Sequence, residues 1–237
     1  MKIKINKIKA VFIDIDNTLL DFDLAIINSL KTGFAKYNLG TYTDSVYETF
    51  TLINNSLWLS LEKKEISFEE LKRIRFDRVF KELGINFSGK IFEQYFREQL
   101  HSIVFPIEGS VELLKYLKGK YLVVLASNGP QEQQVTRVKL GKMEKYVDYI
   151  FTSELIGYSK PSKEYFDKVF DILNKDNNKV ERNECVMIGD SLTSDISGAK
   201  QAEMFTILFD KHQKFNEIPT SEVDVMVKKL IDIKTIL

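Results

Sequence analysis

Asp14 and Asp16 stand one residue apart where the apolar run of VFIDIDNTLLDF ends, and Asp190 and Asp195 share the later stretch GDSLTSD. Between them, ASNG brings Ser127 and Asn128 to the end of a second apolar run, and SELIGYSKP carries Lys160. Carboxylates of this kind hold a hard, oxygen-seeking cation, for which Mg2+ is the natural choice. Residues i and i+2 of an extended segment lie roughly 7 Å apart, so Asp14 and Asp16 do not easily share one metal through both side chains. Asp14 and Asp190 can hold the cation, and the simpler arrangement gives the metal one side chain of the Asp14 and Asp16 pair and leaves the other free to carry a proton. Lys160 and the metal would screen a phosphate so that an anionic nucleophile can approach it. Ser127, Asn128 and neighbouring backbone N–H groups would fill the phosphate oxygen positions. The inventory is that of phosphoryl transfer.

These residues need a scaffold that brings strand ends together. Residues 8–15 are predicted as the first strand from their β-branched content and lack of Gly and Pro. Residues 24–104 then follow a helical apolar spacing, with helices expected over 23–37, 44–61, from the capping sequence SFEE at Ser67 to about Gly84, and over 88–101. Pro106 and Gly109 break that pattern. Strands at 121–126, 149–153, 185–189 and 205–209 thereafter alternate with helices at 111–117, 131–140, 163–173 and from Ser194, and a short strand and a last helix are expected in the tail. Strand–helix alternation indicates parallel crossover units. A crossover needs only about a dozen residues, so the long helical block reads as an insertion. The expected fold is α/β: a doubly wound (Rossmann-like) parallel sheet core over residues 1–20 and 107–237, with an inserted all-helical cap over 21–106. In such a sheet, ligands bind beyond the carboxyl ends of the strands, where all the residues named above fall.

Composition narrows the partners. The 237 residues carry 34 basic and 34 acidic side chains, so no net field draws the chain to a nucleic acid polymer or an anionic membrane. The single cysteine, Cys185, rules out an internal disulfide and reads as buried packing. The opening MKIKINKIKA alternates apolar with polar residues instead of forming a signal-peptide core, and no run approaches the ~18 apolar residues of a membrane span. A cytoplasmic monomer or homodimer acting on a small-molecule phosphate ester is expected. GINFSGKI imitates a phosphate-binding loop but lacks its Ser/Thr and follows a helix, so it reads as a helix stop. His101 and His212 lie outside every motif, leaving no basis for a histidine triad or a zinc site. Phe22, Phe50 and Trp58 in the insert are candidates for lining a substrate pocket, against the ordinary reading of aromatic helix residues as core. NKDNNKVERN reads as a polar surface loop.

In this order, DIDNTLLD, SNG, GYSKP and GDSLTSDISGA resemble the four motifs of the haloacid dehalogenase-like (HAD) superfamily. The resemblance implies that Asp14 is the nucleophile forming an aspartyl-phosphate, and that Asp16 protonates the leaving oxygen and then activates water. It further implies that Mg2+ is held by Asp14, the Asp16 backbone carbonyl and Asp190, that Asp195 orients the metal water or Lys160, and that Ser127 and Lys160 hold the phosphoryl group. Dehalogenases of the superfamily lack the second acid and need no metal, so Asp16 and the acids of GDSLTSD favour phosphate chemistry over dehalogenation. A phosphomutase is a further alternative, and mere phospho-ligand binding is disfavoured because no catalytic position is missing. DNTLLDFDLA, SNGPQEQQVTRVKL and GYSKPSKEYFDKVF are most similar to the pyrimidine-preferring 5′-nucleotidase branch, whose phosphatases often also accept sugar phosphates. Where that branch usually has a small residue such as Gly, this chain has Glu203.

Overall fold

The computed structural model describes residues 7–176, 179–213 and 222–237. The opening MKIKIN, and Asn177 and Asn178 of the polar loop, lie outside the described residues. The chain divides into two compact units, Met1–Asp21 with Val104–Leu237, and Phe22–Ile103.

The first unit is built on six parallel strands: β1 (Ala10–Ile13), β2 (Leu122–Ser127), β3 (Tyr149–Thr152), β4 (Cys185–Gly189), β5 (Phe205–Phe209) and β6 (Val225–Val227). Their order across the sheet is β3-β2-β1-β4-β5-β6. The near-continuous apolar runs of the central strands follow from burial on both faces. Val11, Ile13, Val123, Leu125, Val186 and Ile188 pack on one side with Leu113, Leu114 and Leu117 of the helix Ser110–Leu117. Ala10, Phe12, Val124, Ala126 and Met187 pack on the other with Tyr165, Phe166 and Val169 of the helix Lys163–Lys175. Strand order reverses between β1 and β4, which are in register from Ala10 opposite Cys185 to Ile13 opposite Ile188. In an open α/β sheet this reversal opens the crevice where ligands bind. Asp14 and Asp190 directly follow the two strands that flank it.

The second unit is helical: α1 (Phe22–Tyr37), α2 (Asp44–Glu62), α3 (Phe68–Glu82) and α4 (Gly89–Ser102). Ser67 caps α3 by accepting from the Glu70 N–H at 3.1 Å, as SFEE leads one to expect. GINFSGKI is a helix stop and restart: Gly84 takes φ +66° and Ser88 caps α4. Phe50 is core, its ring centroid 5.5 Å from Phe76 and 5.3 Å from Phe96. Trp58 lies against Phe68, and Phe22 is half-buried. Within this apolar packing, Arg75 forms a two-bond pair with Glu93 (2.6 and 3.0 Å) and donates to Asn54 at 3.0 Å.

The remaining helices are α5 (Ser110–Leu117), α6 (Gln131–Leu140), the single turn α7 (Ser153–Ile156), α8 (Lys163–Lys175) and α9 (Ser197–Gln201). Three features differ from the sequence expectation. The turn α7, held between the Thr152 cap and Gly157 at φ +82°, was not anticipated. The helix expected from Ser194 opens as a π turn over Leu192–Ile196, in which the Asp195 and Ile196 N–H groups share the Ser191 carbonyl, both at 3.1 Å. The tail forms a 3-10 segment, Leu230–Thr235, in place of a last α-helix. It is short and rich in β-branched residues, which disfavours α-helix nucleation. Glu203 sits just past the end of α9 at φ +60°, a left-handed position where glycine is the usual occupant, and lies outside the acidic cluster.

Removing one partner of a buried ion pair leaves an uncompensated charge and typically costs ~3–5 kcal/mol. Arg75→Met should therefore lower unfolding free energy by about that amount, and Arg75→Met with Glu93→Leu should recover much of it. Denaturant titration of the three proteins checks this.

Candidate active site

Asp14 leaves β1 with its N–H bonded to the Ile188 carbonyl of β4 at 2.9 Å, so the backbone pairing of the switch point fixes where it stands. Asp14, Asp190 and Asp195 each direct one carboxylate oxygen to a common region, those atoms lying within 4.8 Å of one another. Asp195 gets there because the π turn folds it back over Gly189. A Cβ on Gly189 would lie 2.2 Å from Asp195 Oδ2, so only glycine admits this approach.

Lys160 supplies the counter-charge. It is 1 % exposed, and its Nζ donates to Asp14 Oδ1 at 2.7 Å, Asp195 Oδ1 at 2.6 Å and the Ala126 carbonyl at 2.6 Å, which uses all three ammonium hydrogens. Burial alone would lower the Lys160 pKa; Asp14 and Asp195 outweigh it and hold the group charged. Asp195 also accepts from the Ser191 N–H at 3.2 Å through Oδ2. One bond to each of its oxygens holds Lys160 and the loop and leaves further lone pairs on both. Asp190 is touched by the Thr18 hydroxyl at 3.4 Å.

The pKa directions state the same constraint. Burial, reinforced by the surrounding acids and opposed by Lys160, raises Asp14 well above the carboxylate range. Burial and then Asp195 push Asp190 up to about 7. An additional positive charge would relieve both, so the donor set fits a hard divalent cation.

The phosphate-facing residues divide. Ser127, buried at the end of β2, accepts from the Gly129 N–H at 3.0 Å and from Gln134 Nε2 at 2.8 Å. With two bonds accepted, its hydroxyl hydrogen is the group it has to donate. The Asn128 side chain, expected among the phosphate-binding groups, is bonded to Lys160. Its Nδ2 donates to the Lys160 carbonyl and its Oδ1 accepts from the Lys160 N–H, both at 2.9 Å, so the side chain fixes the lysine's backbone.

Asp16 stands apart from the cation cluster, its side chain 26 % exposed and therefore open to a reactant. Arg137 Nη1 pairs with Oδ1, and Gln134 Nε2 donates to Oδ2 at 2.5 Å. Gln134, Arg137 and Thr18 were missed by sequence reasoning. The available signal lay in QEQQVTRVKL: polar residues at i and i+3 with Val135 off their stripe, an inverted helix face that pointed to polar burial.

In the folded, cation-free chain Asp190 binds a proton up to about pH 7 that the unfolded chain releases near pH 4. Stability from this group therefore falls as pH rises through that window, and Asp14 acts in the same direction. A cation displaces those protons, so its stabilisation grows with pH. The rise in unfolding temperature on adding Mg2+, compared with EDTA, is expected to be larger at pH 8 than at pH 5, as thermal melts across the range would show.

Comparison with known proteins gives a consistent result. A family model for haloacid dehalogenase-like hydrolase matches residues 8–203. The chain is 30% identical over 218 residues to the HAD-hydrolase YfnB of Bacillus subtilis, covering 91% of each protein. It is 31% identical over 222 residues to the pyrimidine 5′-nucleotidase PynA of Streptococcus pneumoniae, covering 91% of this chain and 90% of that one. A crystal structure of YfnB bound to magnesium superposes with a TM-score of 0.85 at 28% identity, covering 97% of this chain and 98% of that one.

Proposed function

The chain belongs to the haloacid dehalogenase-like hydrolases and is a phosphoric monoester hydrolase, and we propose that it uses Mg2+ and an aspartyl-phosphate intermediate to dephosphorylate nucleoside 5′-monophosphates, pyrimidine nucleotides foremost. The observation that carries this reading is the assembly of Asp14, Asp190, Asp195 and buried Lys160 at the sheet's switch point. The similarity to PynA, a pyrimidine 5′-nucleotidase, supports the substrate class. The helical unit Phe22–Ile103 is read as the cap, and Met1–Asp21 with Val104–Leu237 as the catalytic core.

Asp14 attacks phosphorus, forming a P–O bond to its carboxylate as the ester P–O bond breaks. Asp16 delivers a proton to the departing alcohol oxygen. Asp16 then takes a proton from water as that water attacks the phosphoryl group, and the bond to Asp14 breaks to release phosphate. Splitting the displacement through a covalent intermediate divides a very high barrier between two steps. The Ser127 hydroxyl donates to a phosphoryl oxygen, and the Lys160 ammonium balances charge beside the nucleophile. Asp195 and Asn128 hold Lys160 by its ammonium and its backbone. Mg2+, held by Asp14, Asp190 and the Asp16 carbonyl, would supply the positive charge that keeps the acids ionised and neutralises the phosphate.

Asp14→Asn is expected to abolish turnover with the fold intact. Asp16→Asn should reduce it by ~10²–10⁴-fold, the usual contribution of positioned proton transfer. Near-normal phosphate release by either variant contradicts the mechanism.

Assayed with Mg2+ and with EDTA on a panel of nucleotides and sugar phosphates, the enzyme is expected to release phosphate only with the metal, and most from UMP, dUMP or TMP. Metal-dependent release spread over the sugar phosphates would retain the chemistry and discard the nucleotidase reading.

A further inference from the structure

Helix α6 exposes Val135 and buries Gln134 and Arg137, neither of which is accessible to solvent. Burying a guanidinium and an amide on a helix that has an apolar residue to offer is costly unless their partners require it. Their partners converge on one side chain. Gln134 Nε2 donates to Asp16 Oδ2 at 2.5 Å, and Arg137 Nη1 donates to Asp16 Oδ1. Arg137 Nη1 also donates to Gln134 Oε1 at 3.0 Å, which closes the ring. Gln134 Nε2 donates to Ser127 Oγ at 2.8 Å as well. A Cβ on Gly129 would lie 2.3 Å from Gln134 Nε2, so the backbone of this loop has been kept bare where the amide passes.

Resting on the phosphatase reading above, we propose that Gln134 and Arg137 are positioning residues for proton transfer, acting as a two-point bracket that aims the Asp16 carboxyl at the departing alcohol. The terminal torsion of an aspartate is broad. One bond to each oxygen fixes the carboxyl plane while using only part of its roughly four lone-pair positions, which leaves capacity for a proton directed at the reactant. Through Gln134 the same bracket reaches Ser127, so the acid and the phosphate-holding hydroxyl share a holder. Misplacing a reacting group by about 1 Å can cost on the order of 10²-fold.

The test separates esters by their need for a proton. The alkoxide of a nucleoside 5′-monophosphate leaves poorly unless protonated, whereas 4-nitrophenolate leaves unaided, and kcat/KM reports the steps through that departure. Gln134→Leu removes the central link, Gly129→Ala displaces it without altering it, and Arg137→Lys keeps the charge but loses the planar donor set. Each is expected to lower kcat/KM for the nucleotide by ~10–100-fold and that for 4-nitrophenyl phosphate by no more than a few-fold. In an Asp16→Asn background Arg137→Lys should add no further loss, because Arg137 donates to the Asp16 carboxylate and acts through it. Equal losses on both esters, or an Arg137→Lys loss that multiplies with that of Asp16→Asn, would overturn the proposal in favour of a packing role. Absence of Mg2+-dependent phosphate release from either ester by the unaltered enzyme would instead refute the phosphatase reading, and the bracket with it.

Discussion

Lys160 is the charge on which the site depends. Asp14, Asp190 and Asp195 meet at the ends of β1 and β4 in surroundings that disfavour ionised carboxylates, and one buried ammonium bonds to two of them. Lys160 opposes the burial that raises Asp14 and Asp190, so without it both would be driven further toward their protonated forms. Almost every local feature of the region serves its placement. Asn128 grips the lysine's backbone, the Ala126 carbonyl takes its third hydrogen, and Gly189 makes room for Asp195 to reach it.

This dense packing explains why the chemistry sits on strand ends and on the turns directly after them. Parallel strands in fixed register deliver successive backbone groups to defined heights, so Asp14 owes its position to a main-chain hydrogen bond, and Asp190 directly follows β4. The π turn after β4 does what a regular helix start could not, since its wider loop turns Asp195 back toward Gly189. Asp16, by contrast, stands one step beyond the buried cluster with part of its side chain open to solvent. That division suits two carboxyl groups with different work, one held beside cations and one available to exchange a proton.

The helical unit is stabilised by its own means. Phe50, Phe76, Phe80, Phe92 and Phe96 form an apolar centre, and the Arg75–Glu93 pair with Asn54 sets polar bonds within it. Through them Arg75 of α3 is bonded to Asn54 of α2 and to Glu93 of α4.

The sequence by itself determined the elements and the inventory. Long apolar runs specify buried strands because a parallel sheet covered on both faces has no polar side, and α6, β4 and β5 fell on their expected residues. Asp14, Ser127 and Asp190 stand where an apolar run ends and a strand must stop, whereas Lys160 and Asp195 lie further along, within SELIGYSKP and GDSLTSD. Tertiary structure decided what those side chains touch. That Asn128 and Asp195 bond Lys160, and that Gln134 and Arg137 hold Asp16, are contacts between segments far apart in the chain. Local periodicity carries no information about such partners, because it reports which face of an element is buried and not what meets it there.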